Sequence, residues 1–414
     1  MFLGAVTAQA QITIGGNVYG GGNAGDMNGK TSVTVRAGDI NGSVYGGARQ
    51  ANVGGHTFVN IDGENMSGDI LINYVYGGND IAGTIGNIRT VSGESAPLPT
   101  TLTKVGTTAG QNNIDNTWNA FVRVSSVKSE TTGEAPNQTT TTTNHKVYIG
   151  NLYGGSNGDY TVKNKTVSES HKWEIWTKDA TPVKVYENDD QPQLPELGKT
   201  YLEIVGGSIV YVFGGGNNAT VTNKTVICTD NPSEVVNHIK VDKTTGTLMA
   251  DDATGDNVEE LLSDDRITEM GFNPYLSYAT SASYQMGSMF GGNNKVAMAI
   301  RPTWNLIKGK IRNLYSGGNA GNMTHDNGLL LAVTSNDMEI DNVYGGCRKA
   351  DVNPDNNRIT AETIKVDGVD VSFPADYAAR VYITGGNINN VYGGNDISGN
   401  VYGGNAVGIH SSIN

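Results

Sequence analysis

Two kinds of charged residue recur in this sequence in the same order. Arg49 follows the phrase Val44-Tyr45-Gly46-Gly47 and Asp80 follows Val75-Tyr76-Gly77-Gly78, while Arg348 and Asp396 hold the matching places after Val343-Tyr344-Gly345-Gly346 and Val391-Tyr392-Gly393-Gly394. An arginine beside a carboxylate could neutralise the carboxylate of a uronic acid while the acid moves a proton, which is how polysaccharide-cleaving enzymes use such groups. The simpler expectation is an Arg–Asp ion pair between neighbouring repeats, copied by duplication. No further carboxylate accompanies either pair, and an active site seldom needs two copies.

Asp26 and Asp159 end the runs Gly21-Gly22-Asn23-Ala24-Gly25-Asp26 and Gly154-Gly155-Ser156-Asn157-Gly158-Asp159. Such runs are similar to calcium-binding β-roll turns, in which carboxylate and backbone oxygens of adjacent turns cage the ion. Calcium is therefore the one cofactor to consider. Turn chemistry without an ion is the stronger expectation, because β-rolls need tandem nonapeptides and these runs stand far apart. Gly20 to Gly25 also satisfies G-x-G-x-x-G, but strand-like sequence follows where a dinucleotide site requires a helix. His56, His145, His171, His238, His325 and His410 have no metal-ligand spacing, and no G-x-S-x-G nucleophile motif occurs.

These residues sit on a repeated frame. An aliphatic residue, an aromatic, two small residues and an Asn-rich cluster return at Tyr19, Tyr45, Tyr76, Tyr153, Phe213, Phe290, Tyr315, Tyr344, Tyr392 and Tyr402. Where the phrases are closest, their starts differ by 26, 31, 25 and 29 residues, the length of one solenoid coil. Between them Thr31-Ser32-Val33-Thr34-Val35 and Thr57-Phe58-Val59-Asn60-Ile61 alternate with period two, the signature of half-buried strands. The aliphatic residue is expected inside and the aromatics in one buried or half-buried column. The glycines are expected where a Cβ would meet the next coil, and the asparagines in ladders along the axis.

A longer period overlies the first. Asn23-Ala24-Gly25-Asp26-Met27 returns as Asn319-Ala320-Gly321-Asn322-Met323, and Asn79-Asp80-Ile81 returns as Asn395-Asp396-Ile397. The order of phrase types is preserved, so about six phrases form a super-repeat, one complete and one unfinished; the array is expected to be part of a longer one.

Insertions are expected near 86–145, 161–200, 229–285 and 353–380, where the phrase spacing widens. The Thr-rich run Thr139 to Thr143 reads as a projecting loop, and Asp256 to Met270 as a short helix from its apolar spacing. Residues 1–10 read as the remnant of a secretory signal peptide, because Phe2-Leu3-Gly4-Ala5-Val6 precedes an Ala8-Gln9-Ala10 cleavage pattern. Residues 11–414 then form one elongated domain.

Composition supports this reading. The chain has 414 residues, 56 of them glycine against 11 prolines, with no Gly-X-Y period, which excludes collagen. A net charge of -13 argues against nucleic acid, since phosphate binding needs clustered Lys and Arg. Nothing after the first residues is apolar enough to cross a bilayer as a helix. Cys228 and Cys347 lie far apart, and separate thiols are favoured over a disulfide.

The Val-Tyr-Gly-Gly-Gly-Asn phrase and its companion Val221-Thr222-Asn223-Lys224-Thr225-Val226-Ile227 resemble exported, adhesin-like β-helix proteins of gut bacteria. That resemblance covers the repeats but not the insertions. It implies an all-β fold, a single-stranded right-handed parallel β-helix (solenoid), secreted or at the cell surface, whose loops bind a host or dietary glycan or a surface protein. The phrase is also similar to kelch repeats, so a kelch-like β-propeller is the alternative fold. Kelch departs in period and in its regular Trp, whereas Trp118, Trp173, Trp176 and Trp304 fall outside the phrases. The functional expectation is a non-enzymatic scaffold, with a polysaccharide lyase or hydrolase as the alternative.

Overall fold

The computed structural model describes residues 12–86, 119–126, 130–132, 139–141, 147–167, 170–177, 182–186, 194–230, 238–242, 256–262, 286–366 and 369–410. These residues are all-β; the one helical element among them is a single 3-10 turn, Gly63–Asn65.

The phrases stack on one another. Strands Gly38–Tyr45, Ile70–Tyr76, Val147–Tyr153, Ser208–Phe213, Met286–Phe290, Thr303–Tyr315, Met338–Tyr344 and Asn387–Tyr392 pair in parallel in that order, with Val18–Tyr19 ahead of them. Each aliphatic residue lies beside its equivalent, as in Val75↔Leu152, Leu152↔Val212 and Leu314↔Val343. Every one of these five is fully buried. An isolated phrase has nowhere to bury that side chain, so the core exists only through stacking.

Between phrases the chain crosses to a second stack. Thr31–Val35, Thr57–Asp62, Ala120–Ser125, Glu196–Val205, Val221–Asp230 and the start of Thr303–Tyr315 pair in parallel there. Leu329–Val333, Tyr377–Ile383 and Gly404–Ile409 form a further parallel sheet. Alternation in Thr31–Val35 reads buried-exposed-buried-exposed-buried, and the inward Val33 and Val35 join the core cluster with Val44 and Val75. Single bridges Met27↔Val53, Val53↔Ile85, Met323↔Val352 and Val352↔Val401 mark a third column between the two. This parallel pairing is unlike a propeller, whose blades are antiparallel and pair their strands within one repeat, so the kelch alternative is set aside.

The aromatics form one column. From Tyr19 through Tyr45, Tyr76, Tyr153, Phe213, Phe290, Tyr315 and Tyr344 to Tyr392, successive ring centroids lie 4.6–5.0 Å apart and nearly parallel. That is the strand spacing of a sheet, imposed on the rings by the backbone ladder. Tyr402 is a correction to the sequence reading. Val401 takes the bridge position beside Val352, so Tyr402 lies outside the column although its phrase matches.

The insertions contain both rungs and projections. The 86–145 interval holds the stacked strand Ala120–Ser125, which lacks a Gly-Gly phrase to announce it. Elsewhere the chain builds antiparallel units: Thr161–Val167, Ser170–Trp176 and Pro182–Tyr186; His238–Asp242 with Val258–Leu262; Glu362–Val366 with Val369–Phe373. The helix expected over Asp256 to Met270 is thus a strand over Val258–Leu262, stabilised by pairing that local periodicity cannot register; residues 263–270 lie outside the described residues. In the Thr run, Thr139–Thr141 pairs with Glu130–Thr132 rather than forming a loop, and Thr142 and Thr143 lie outside the described residues. Residues 1–10, where a signal remnant is expected, also lie outside them.

Candidate functional site

The predicted site residues fall in one column. Four positions after each stacked aromatic come Asn23, Arg49, Asp80, Asn157, Asn217, Asn294, Asn319, Arg348 and Asp396. Their side chains are joined head to tail. Asn157 donates to Asp80 at 2.9 Å, Asn217 to Asn157 at 2.9 Å, Asn294 to Asn217 at 2.8 Å and Asn319 to Asn294 at 2.8 Å. Arg348 then donates to Asn319 at 3.4 Å, and Arg49 to Asn23 at 3.1 Å.

The direction of this chain is fixed by its ends. An ionised Asp only accepts and an Arg only donates, so every amide between them must point its N–H toward Asp80 and its C=O toward Arg348. Asp80 meets the donor end and Arg348 the acceptor end, the same complementarity that charges make with a helix dipole.

Asp80 is 1% exposed, and it also accepts from Tyr19 Oη at 2.8 Å and Tyr160 Oη at 2.9 Å. Burial first, then the Asp80 charge, pushes both phenols up, so they stay protonated and donate. The second copy repeats the contact, with Tyr315 Oη donating to Asp396 at 2.8 Å. Arg49 and Asp80 therefore do not form the expected mutual ion pair: each uses its charge on a ladder member or a phenol. Arg49 and Asp80 follow adjacent rungs, as do Arg348 and Asp396, while the two copies stand several rungs apart along the column.

Asp26 and Asp159 are likewise engaged between rungs. Asp26 accepts from the backbone N–H of Asn52 at 2.8 Å and from its amide at 3.1 Å, and Asp159 pairs with Lys295 at 2.6 Å. Among the described residues no group of three or more His, Cys, Asp or Glu could hold a metal. Cys228 and Cys347 are free and buried, and burial pushes the Cys347 thiol up to about 12.

A second cluster lies on the outward face of the second stack, and the sequence reading did not name it. Arg123 Nε lies 3.1 Å from Glu203 Oε2 without hydrogen-bond alignment, and Arg123 Nη2 donates to Glu64 at 3.1 Å. Glu203 is 2% exposed. Burial raises its carboxyl to about 7; Arg123 opposes that shift while Glu64 and Asp230 add to it. Register places these groups together, because Asn60, Arg123 and Glu203 are direct neighbours across three strands. Arg123 and Glu203 stand 80 residues apart in an unphrased region, and only the pairing of Ala120–Ser125 with Glu196–Val205 reveals them.

A third cluster fastens a projection. Glu362, at the start of a hairpin, receives Arg301 through both oxygens and lies 3.4 Å from the fully buried Arg380. Arg380 also donates to the backbone oxygens of Tyr377 and Thr360.

Among the described residues no helix is long and apolar enough to cross a membrane, which leaves membrane-spanning strands unaddressed. No protein-family model matches this sequence, no curated protein is similar to it, and no solved structure matches its fold.

Proposed function

We propose that the chain is a right-handed parallel β-helix acting as a non-enzymatic, secreted or bacterial-surface scaffold, an adhesin-like shaft whose antiparallel insertions contact a glycan or protein. The observation that carries this reading is Asp80: the residue type best suited to catalysis in the repeats is buried, and three donors from two other rungs consume it. Duplication conserved that contact as Tyr315–Asp396, as expected of a stacking device. The insertion Thr161–Val167 with Ser170–Trp176 offers an exposed Lys163 whose ammonium lies 3.9 Å over the half-buried Trp176 ring, a polar and aromatic edge suited to contact. A glycan array run beside cleavage assays on uronic-acid polymers tests the proposal. Binding without turnover supports it, and turnover overturns it.

The Arg123–Glu203–Glu64 cluster favours a second reading, a polysaccharide lyase or hydrolase in which Glu203 moves a proton. Turnover abolished in Glu203→Gln would establish that reading in place of the first.

A further inference from the structure

One guanidinium edge on the second stack is divided between two carboxylates. Arg123 Nη2 donates to Glu64 Oε1 at 3.1 Å, and Arg123 Nε lies 3.1 Å from Glu203 Oε2 without hydrogen-bond alignment. Nε and Nη2 are the pair of donors with which a guanidinium grips a single carboxylate bidentately, so this edge can hold Glu203 fully or hold Glu64, but not both. Its present alignment favours Glu64.

The two carboxylates differ in their surroundings. Glu203 is 2% exposed, whereas the Glu64 side chain is 21% exposed and can turn to water. An ionised Glu203 without an aligned partner would be a buried charge, a far larger cost than leaving Glu64 to solvent. Register sets Arg123 on one side of Glu203 and Cys228 on the other. Tyr201 precedes Glu203 on the same face, and Asp230 follows Cys228 with Lys308 beside it. Burial pushes the Cys228 thiol and the Tyr201 phenol up, so both stay neutral. Burial also raises the Glu203 carboxyl to about 7, opposed by Arg123 and helped by Glu64 and Asp230. Glu203 is therefore protonated in mildly acidic solution, which leaves Arg123 to Glu64, and ionised in mildly alkaline solution.

Glu64 sits in a connection between the two stacks. Its 3-10 turn, Gly63–Asn65, follows Thr57–Asp62 and leads into Ile70–Tyr76. Besides the Arg123 contact, Glu64 N–H donates to Ser125 Oγ at 3.4 Å and Ser67 N–H donates to Arg36 O at 2.9 Å. Asn65 and Ser67 are exposed, so the Arg123 contact is a large part of what fastens this segment.

We infer that Arg123 is a pH-dependent clasp: it ties the turn Gly63–Asn65 to the second stack through Glu64 while Glu203 is protonated, and it swings to Glu203 and releases the turn when Glu203 ionises. The clasp is independent of both functional readings, because it shows in backbone amides rather than in binding or turnover.

Hydrogen exchange of the full chain at about pH 5.5 and about pH 8.5, normalised to a free peptide of residues 60–70, tests the inference. Protection of the Glu64 and Ser67 amides should fall about tenfold between the two conditions, while the amides of Ala120–Ser125 and Ile70–Tyr76 keep theirs. Glu203→Gln holds the neutral form in nearly the same shape and should keep the turn protected in both. Glu64→Gln, at the more exposed partner, should already be as weakly protected in acid as the parent is in alkali. Four outcomes overturn the inference: parent protection that ignores pH, a Glu203→Gln chain that keeps the pH dependence, a Glu64→Gln turn as protected as the parent's, or a loss spread evenly over both stacks.

Discussion

Asp80 shows how a buried charge is kept in a stack that otherwise excludes charge. An unpaired carboxylate in this position would be costly, but Tyr19, Asn157 and Tyr160 supply three donors. Asp80→Ala leaves those three donors without an acceptor, and at about 1–3 kcal/mol for each unsatisfied buried group the variant should lose about 3 kcal/mol after relaxation. Asp80→Asn, which can still accept, should lose less; denaturant midpoints of the two variants check the order. Glu203 is the opposite case. Its folded carboxyl is raised to about 7, above the usual range near 4.3, so the folded state holds a proton that the unfolded chain releases. Stability from this group is full below about pH 4 and falls as pH rises through 5 to 7. Glu203→Gln removes that slope, so the melting temperature of the variant relative to the parent should rise between pH 5 and pH 8; a flat difference would place the proton elsewhere.

At the scale of the repeated phrase, the glycines answer to close approach rather than to left-handed backbone. Neither phrase glycine after a stacked aromatic has positive φ. A Cβ on Gly215 would collide with Asn293 Oδ1, which accepts from Gly216 N–H at 2.8 Å. Gly215→Ala should therefore cost roughly 2–3 kcal/mol, by overpacking and by displacing that bond. Gly25→Ala is the control: nothing lies near its Cβ position, and the melting temperature should barely move. Ser316 breaks the phrase and tests it from the other side. It is fully buried and its hydroxyl has no hydrogen-bond partner among the described residues. Ser316→Gly removes an unsatisfied group worth about 1–3 kcal/mol at an entropic cost of about 0.5–1 kcal/mol, so the variant should be more stable by about 1 kcal/mol.

The same scale explains what the sequence made legible. Tyr76, Asn79 and Asp80 act through their immediate equivalents one rung away, and a residue that repeats declares its neighbour. Tyr402 repeats the phrase yet leaves the column, because position in a rung depends on the length of the preceding turn as well as on wording. Arg123, Glu203 and Val258 belong to segments without the phrase; their partners are set by strand pairing across 80 residues or by a hairpin, and local pattern carries no record of either.

Over the whole molecule, the side-chain ladder has a polarity that individual contacts do not show. Four amides aligned between Asp80 and Arg348 form a line of dipoles, negative toward Arg348 and positive toward Asp80. Replacing any of them by Asp removes a donor and adds a negative charge, yet the cost should depend on distance from the ends. Asn157→Asp sets two carboxylates side by side, at a separation where like charges in a buried site repel strongly, and forces one of them to hold a proton. Asn217→Asp loses its donation to Asn157 and lies beside neither charged end of the ladder. Asn319→Asp loses its donation to Asn294 but gains an ion pair with Arg348 in place of a neutral hydrogen bond. The melting temperatures at pH 7 should therefore rank Asn319→Asp highest, Asn217→Asp next and Asn157→Asp lowest. At pH 4 the gap between the first and the last should shrink, because protonation restores a donor beside Asp80 and weakens the pair with Arg348. Three equal melting temperatures would mean that the rungs act independently and that the charged ends set no direction for the stack.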